Sequence, residues 1–345
     1  MLPYDEITNF SEGLAAVRKT GKWGFINTEG KEVIPLQWAG VNPFSDGIAP
    51  VQLSAGDLPY FIDKTGRKAF DLPSGYRFVG PYSEGIAKVA ANNLGGYMDK
   101  TGKIAIPAKY PNLGSFVNGM AIVVNAQNKY GFIDKTGKEV IPLSFDEAGD
   151  FSADGLAPVR QGTLWGFVDK TGKMTISLQY EVVSNFKNGV CAVRKGGKVG
   201  YIDTQNKEIV PLLFEDGKEF LDDFAAVKLN GKWGFANLNG KGKLVIPANY
   251  ENVGKFYENL VFVKLNGKVG AINRAGATIV PFAYEDAGEF AGGIAYVKKN
   301  GKFGIVDNNG KEIIPTVCDA AGNYQNGKIA VIVSFKGYEV RALRK

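Results

Sequence analysis

The chain reads as an all-β array of tandem repeats of about 35 residues, each of three antiparallel strands, stacked as an open β-solenoid or superhelix. Three observations lead there. A segment that begins Phe10-Ser-Glu-Gly-Leu-Ala-Ala-Val-Arg18 and ends Val33-Ile-Pro35 returns with drift every 34 to 36 residues, and a fixed period of that size marks a repeat architecture. Glycine supplies 45 of 345 residues, roughly twice its usual share, which points to many tight turns. No stretch carries the periodicity of a long helix.

Within a repeat, Leu14-Ala-Ala-Val-Arg18 alternates as a first strand, with Ala15 and Val17 on one side. The pair recurs as Ala49/Val51, Ala87/Val89, Ala121/Val123, Ala157/Val159, Ala225/Val227 and Ala295/Val297, and a small residue kept at one inward position implies close packing between neighbouring layers. Lys19-Thr-Gly-Lys22 is a tight turn, and Trp23-Gly-Phe-Ile26 is the second strand. The next turn, Asn27-Thr-Glu-Gly30 or Asp134-Lys-Thr-Gly137, joins an Asx acceptor to a glycine able to take positive φ. Lys31-Glu-Val-Ile34 is the third strand, which Pro35 is expected to stop. A linker of the form Tyr-Glu-x-x-x-x-Phe follows, either a short fourth strand or an irregular arc.

The phasing extends along the chain. The second-strand glycine is Gly24, Gly96, Gly131, Gly166, Gly200, Gly234, Gly270 or Gly304. The residue before it is Trp23, Trp165, Trp233, Tyr130, Phe303, Val199, Val269 or Gly95. Prolines close the third strand at Pro35, Pro107, Pro142, Pro211, Pro247, Pro281 and Pro315. The count is nine repeats of 34–38 residues, plus a partial tenth over about 316–345 that serves as a cap, with Gly337 and the basic tail Arg341, Arg344 and Lys345. All lie in one repeat domain, residues 1–345. The second copy is degenerate: Pro59-Tyr60 replaces its Trp-Gly, and register resumes at Tyr76. A closed β-propeller of nine to ten blades is the alternative architecture. The open array is preferred because the last copy repeats its first strands instead of supplying missing ones.

The motifs Lys22-Trp23-Gly24-Phe25-Ile26, Tyr130-Gly131-Phe132-Ile133-Asp134, Trp165-Gly166-Phe167-Val168-Asp169 and Lys232-Trp233-Gly234-Phe235 make the chain resemble the WG-repeat (KWG-repeat) family of bacterial proteins along essentially its whole length. That resemblance implies a tandem β-repeat scaffold, often in surface or envelope proteins, and no enzymatic activity.

Composition narrows the chemistry. Histidine is absent, which removes Ser-His-Asp and Cys-His triads and histidine-ligated metal. The two cysteines take apolar columns: Cys191 replaces the inward alanine of a first strand, and Cys318 the linker aromatic. Both read as buried thiols. The turn residues Asp63, Asp99, Asp134, Asp169, Asp203 and Asp307 read as turn caps and not as calcium ligands, since one acid per layer falls short of six to eight oxygens and Asn27, Asn237 and Asn273 stand in the same place. The adjacent acids Asp146-Glu147, Glu215-Asp216 and Glu285-Asp286 have the chemistry of a glycosidase pair, but they recur where an active site occurs once, so they read as solvated acids pairing with turn lysines. Gly95-Gly96, Gly196-Gly197 and Gly292-Gly293 open no helix and form no phosphate loop. No metal site and no cofactor are expected.

The candidate binding residues lie on the outward face of the first strand. Arg18, Arg160, Arg194, Lys228, Lys264 and Lys298 form a basic column, and Phe262 and Tyr296 join it in repeats eight and nine. Cations beside aromatics suit a protein or an anionic polymer or glycan. The plainer reading is a solvated strand end. The degenerate second copy is a rival site. The leading functional expectation is a non-catalytic binding or scaffolding protein; the alternatives are a passive structural spacer or envelope component and a carboxylate-dependent glycan-active enzyme. Nucleic acid is disfavoured, because the lysines scatter through turns and no recognised module appears. The net charge of +6 is a mild bias. No apolar run reaches a membrane-spanning length. No signal peptide is visible at the N-terminus, and the compartment is left open.

Overall fold

In the computed structural model every strand pair of a repeat is antiparallel, and the described residues form ten sheets that follow one another along the sequence. The structure describes residues 4–322 apart from 219, 221, 222 and 239–241, together with the backbone of 330–335 and 337–342. Among the described residues there is no helix. Hence no described helix is long and apolar enough to cross a membrane. The chain divides into two compact units: Met1–Gln179 with Asn185–Asn188, and Tyr180–Ser184 with Gly189–Lys345.

The expected three strands are present, and a short lead strand joins them. In repeat four, Asn112–Leu113 pairs with the first strand Met120–Val124, then come the second strand Tyr130–Asp134 and the third strand Glu139–Phe145. Repeats one, two and five to nine have the same plan, with two-residue lead strands such as Glu6–Ile7, Glu147–Ala148, Asn252–Val253 and Asp286–Ala287. Repeat three has a seven-residue lead strand, Arg77–Ser83. The tenth sheet has three strands, Ala320–Ala321, Ala330–Phe335 and Gly337–Ala342. Arg344 and Lys345 of the expected cap lie outside the described residues.

Proline does not stop the third strand. Glu32–Trp38 runs through Pro35, and the register explains how: Phe25 pairs with Ile34 and Trp23 with Trp38, so two steps on the second strand face four on the third. Pro35 sits in that bulge, where its missing N–H costs no ladder bond. The bulge also accounts for the recurring glycine. A Cβ on Gly131 would stand 2.5 Å from the Ile141 carbonyl oxygen, and one on Gly270 would stand 2.8 Å from that of Val280. The degenerate second repeat keeps four strands but lacks this crossing. Tyr60 pairs with Asp71 and Phe61 with Phe70, so Tyr60 occupies the glycine register without a clash. Its hydroxyl accepts the Trp38 Nε1 hydrogen at 2.7 Å.

The core consists of slabs between successive sheets. In repeat one Ala16, Phe25, Ile34 and Trp38 face Ala49, Val51 and Ile62 of repeat two, with Phe44 of the connecting loop between them. Phe132, Ile141 and Phe151 meet Ala157, Val159 and Val168 in the same way, as do Ala271, Val280, Tyr284 and Phe290 with Ala295, Val297 and Val306. The loop phenylalanine meets the second-strand ring edge-on at 4.9 Å for Phe25–Phe44, 4.8 Å for Tyr97–Phe116 and 4.9 Å for Phe235–Phe256, the preferred aromatic geometry. The first strand is therefore covered on both faces. This corrects the reading of its Ala16 side as outward: Ala16 and Ala226 are buried and the others of that column are at least half-buried.

Polar bonds stitch the seams. The Glu12 carboxylate accepts the Gly47 N–H one repeat on at 3.0 Å, Glu84 accepts that of Gly119 at 3.0 Å and Glu258 that of Gly293 at 2.7 Å. Ser11 Oγ donates to the Phe44 carbonyl at 2.7 Å, and Ser83 Oγ to that of Phe116 at 2.8 Å.

Candidate functional site

Each of the six basic residues occupies the same register position of its sheet, between the lead strand and the second strand. Arg18 pairs with Glu6 on one side and Trp23 on the other; Arg160 lies between Glu147 and Trp165, Lys228 between Asp216 and Trp233, and Lys298 between Asp286 and Phe303. The cation lies over the ring at 6.0 Å for Arg18–Trp23, 5.8 Å for Arg160–Trp165, 5.9 Å for Lys228–Trp233 and 5.2 Å for Lys298–Phe303. Each stem is half-buried on apolar surface while its charged head reaches the rim.

Not all six cations are equally available. Arg18 is ion-paired with Glu6, and Arg160 with Glu147 at 3.0 Å, while its Nη1 donates to the Gly162 carbonyl at 2.6 Å. Arg194 reaches Asp216 of the next repeat at 3.7 Å. Among the described residues Lys228, Lys264 and Lys298 make no ion pair. Phe262 and Tyr296 do not project as free rings. Phe262 stacks on Phe290 at 4.8 Å with the planes 2° apart, and Tyr296 meets Phe303 at 5.8 Å.

The acids have structural employment that the sequence showed only in part. The first acid after the linker aromatic caps the turn between the first and second strands: Asp146 accepts the Gly162 N–H at 2.6 Å, Glu215 that of Gly231 at 2.9 Å, and Glu285 those of Asn300 and Gly301 at 2.7 and 3.2 Å. The second acid sits on the lead strand opposite the basic column. The turn aspartates cap their own turns. Asp134 Oδ1 accepts the N–H and hydroxyl of Thr136 at 2.9 and 2.6 Å and the Lys138 N–H at 3.1 Å. These bonds hold its carboxyl below the ordinary value, the Thr136 hydroxyl contributing most. Asn273 accepts both equivalent N–H groups, those of Ala275 and Ala277, and Asn27 accepts that of Lys31. Cys191 is buried, its thiol donates to the Ser184 carbonyl at 3.2 Å, and burial pushes its pKa to about 12. Cys318 is likewise buried and raised.

Among the described residues, clefts open along the column in two repeats where the second-strand ring is missing. In repeat eight, where Val269 replaces tryptophan, a cleft of about 320 Å³ is lined by Val253, Phe262, Lys264, Val269, Asp286 and Ala287 among others. In repeat six, where Val199 replaces it, a cleft of about 210 Å³ is lined by Val183, Arg194, Val199 and Gly217 among others. Small residues face each other across the seam in both cases; a Cβ on Gly217 would touch Val199 at 2.8 Å. In repeat three the same place holds Gly95, and Leu113 of the next lead strand fills it, 2.5 Å from where a Cβ would be. Sequence reasoning missed these clefts. Their signal was present as Val199 and Val269 in an aromatic column, but the lead strands that close them off have no pattern of their own.

Of the predicted binding residues, the structure brings Lys264 and Phe262 together in the repeat-eight cleft and places Arg194 in the repeat-six cleft. Lys298 and Tyr296 share the first strand of repeat nine and both meet Phe303, while Arg18, Arg160 and Lys228 stand one per sheet.

No curated protein matches the chain. Among solved structures, the eukaryotic initiation factor crystal structure is 12% identical, with 80% of this chain and 87% of that chain covered and a TM-score of 0.43. BamB from Moraxella catarrhalis is 11% identical, with 96% and 97% covered and a TM-score of 0.30. The extracellular domain of the putative hybrid two component system BT3049 from B. thetaiotaomicron is 11% identical, with 95% of this chain and 54% of that chain covered and a TM-score of 0.29. Likenesses at this level bear on no functional question. The WG containing repeat matches at residues 4–23, 23–54, 96–129, 130–163, 165–198, 200–233, 234–268, 270–303 and 303–333, and the chain belongs to that family.

Proposed function

We propose that the chain is a non-catalytic binding scaffold whose repeats seven to nine face an anionic polymer or an acidic protein segment. The observation that carries this reading is the row Lys228, Lys264 and Lys298. These three cations share one register position and make no ion pair among the described residues, whereas Arg18 and Arg160 are tied to acids of their own repeats. Support for a role without catalysis comes from the acids and thiols: the turn carboxylates cap backbone N–H groups through one oxygen, as Asp134 does, and both cysteines are buried.

The test is fluorescence anisotropy with labelled polyglutamate and a labelled sulfated oligosaccharide, over a salt series. Charge reversal at all three lysines should weaken binding by about tenfold or more at low salt and flatten the salt dependence. Both probes should be recovered uncleaved. Equal binding by wild type and the triple variant overturns the assignment to this row. Absence of binding by either probe favours a spacer.

A further inference from the structure

The repeat-eight cleft is a place that the chain itself fills in its other repeats. In repeats one, five, seven and nine the second-strand position carries Trp23, Trp165, Trp233 or Phe303, beneath the first-strand cation. In repeat seven, Trp233 packs in one cluster with Val253 of the next lead strand. In repeat nine, Phe303 packs with Ala321. Repeat eight has a lysine, Lys264, at the cation position and an alanine floor, Ala287, as repeat nine has Ala321, but Val269 in place of the ring. The missing ring, facing the small Ala287, accounts for the opening.

We infer that this cleft is a docking slot for an aromatic side chain of tryptophan size, presented by a partner polypeptide. The cleft, about 320 Å³, is large enough to take a ring of tryptophan size. Val253, Phe262, Val269 and Ala287 give the cleft apolar surface, and Asn252, Lys264, Glu285 and Asp286 give it polar groups. The charges complement an indole. Lys264 supplies a cation for the ring face, as Lys228 does for Trp233 at 5.9 Å. Asp286, exposed and without an ion pair among the described residues, supplies a rim acceptor for an indole N–H. The cleft lies open on the surface, so a side chain enters while its backbone stays outside. The inference goes beyond polyanion binding, and it is tested with an uncharged probe, so the failure of either reading leaves the other standing.

The experiment adds N-acetyl-5-fluorotryptophanamide to the full chain and follows both the fluorine resonance and the protein methyl resonances. Wild type should broaden the fluorine line and shift the methyls of Val253 and Val263. Val269→Trp, which restores the sister-repeat ring, should abolish those methyl shifts while leaving the circular dichroism spectrum intact. Should that variant fail to fold, Ala287→Leu fills the slot from the lead strand, as Leu113 does beside Gly95. Excess N-acetyl-leucinamide should not displace the probe. Methyl shifts that persist in the filled variants, equal displacement by the leucine amide, or no response in wild type at millimolar probe would each overturn the inference.

Discussion

Gly24 and Ile34 approach so closely across the sheet that a Cβ built on Gly24 would stand 2.6 Å from the Ile34 carbonyl oxygen. The contact exists because the proline-containing bulge of the third strand folds over the second strand at this point. It recurs at Gly131, Gly200, Gly234, Gly270 and Gly304.

Substituting this glycine should therefore cost stability through backbone overlap. Gly131→Ala is expected to lose about 1–3 kcal/mol in urea unfolding. Gly114→Ala is the control, because the nearest atom to its Cβ is Ile122 Cβ at an ordinary 3.6 Å; it should stay within ~0.5 kcal/mol of wild type.

The turn caps make a separate expectation. Asp134→Ala removes the acceptor for two backbone N–H groups and a hydroxyl, and should cost about 1 kcal/mol. Asp134→Asn should retain most of the cap, since Asn273 makes both equivalent backbone bonds and Asn27 makes one of them. Denaturation midpoints of the two variants, compared side by side, decide it.

Acid should loosen the seams. Burial works to raise the Glu12 and Glu84 carboxyls, but the Lys64 and Lys135 ion pairs, at 3.0 and 3.1 Å, and the Gly47 and Gly119 N–H groups outweigh it and leave both below their ordinary value of 4.5. A carboxyl depressed by folding contributes stability that is fully present above its unfolded pKa and lost as pH falls through the folded one. The urea midpoint should hold level down to about pH 5 and decline below pH 4.5. In Glu12→Gln with Glu84→Gln the decline should be shallower, while the remaining turn aspartates keep part of it.

The thiols should behave as packing groups. Cys191 should resist a disulfide-exchange reagent in the native chain and react on unfolding, because burial raises its pKa to about 12 and hides the sulfur. Cys191→Ala should change stability by less than ~1.5 kcal/mol, since Ala15, Ala87 and Ala121 fill the same register in other repeats.

What the sequence disclosed depends on how local each cause is. The three strands, the Asp-Lys-Thr-Gly turns and the buried cysteines follow from neighbours within a few residues, and repetition made them plain. The lead strand did not show, because two residues such as Asn252–Val253 have no periodicity; only pairing with Lys264 and Val263 makes them a strand. Pro35 misled in the same way, since a bulge is a property of two strands at once. The outward reading of the Ala16 column failed because a strand buried on both faces does not alternate in the way a half-exposed one does. The basic residues share one register, but the acid on one side and the ring on the other of Arg18, Arg160, Lys228 and Lys298 are set by pairing across three strands.

The seam between sheets has a consequence for how such a chain grows. Donor and acceptor sit at matching positions of successive repeats: Glu12 with Gly47, Glu84 with Gly119, Glu258 with Gly293. An in-frame duplication of one unit therefore places donor and acceptor positions opposite each other again across the new junction. Unequal recombination within the gene would lengthen or shorten the protein by whole layers, while a change such as tryptophan to valine opens a single seam, as at Val199 and Val269.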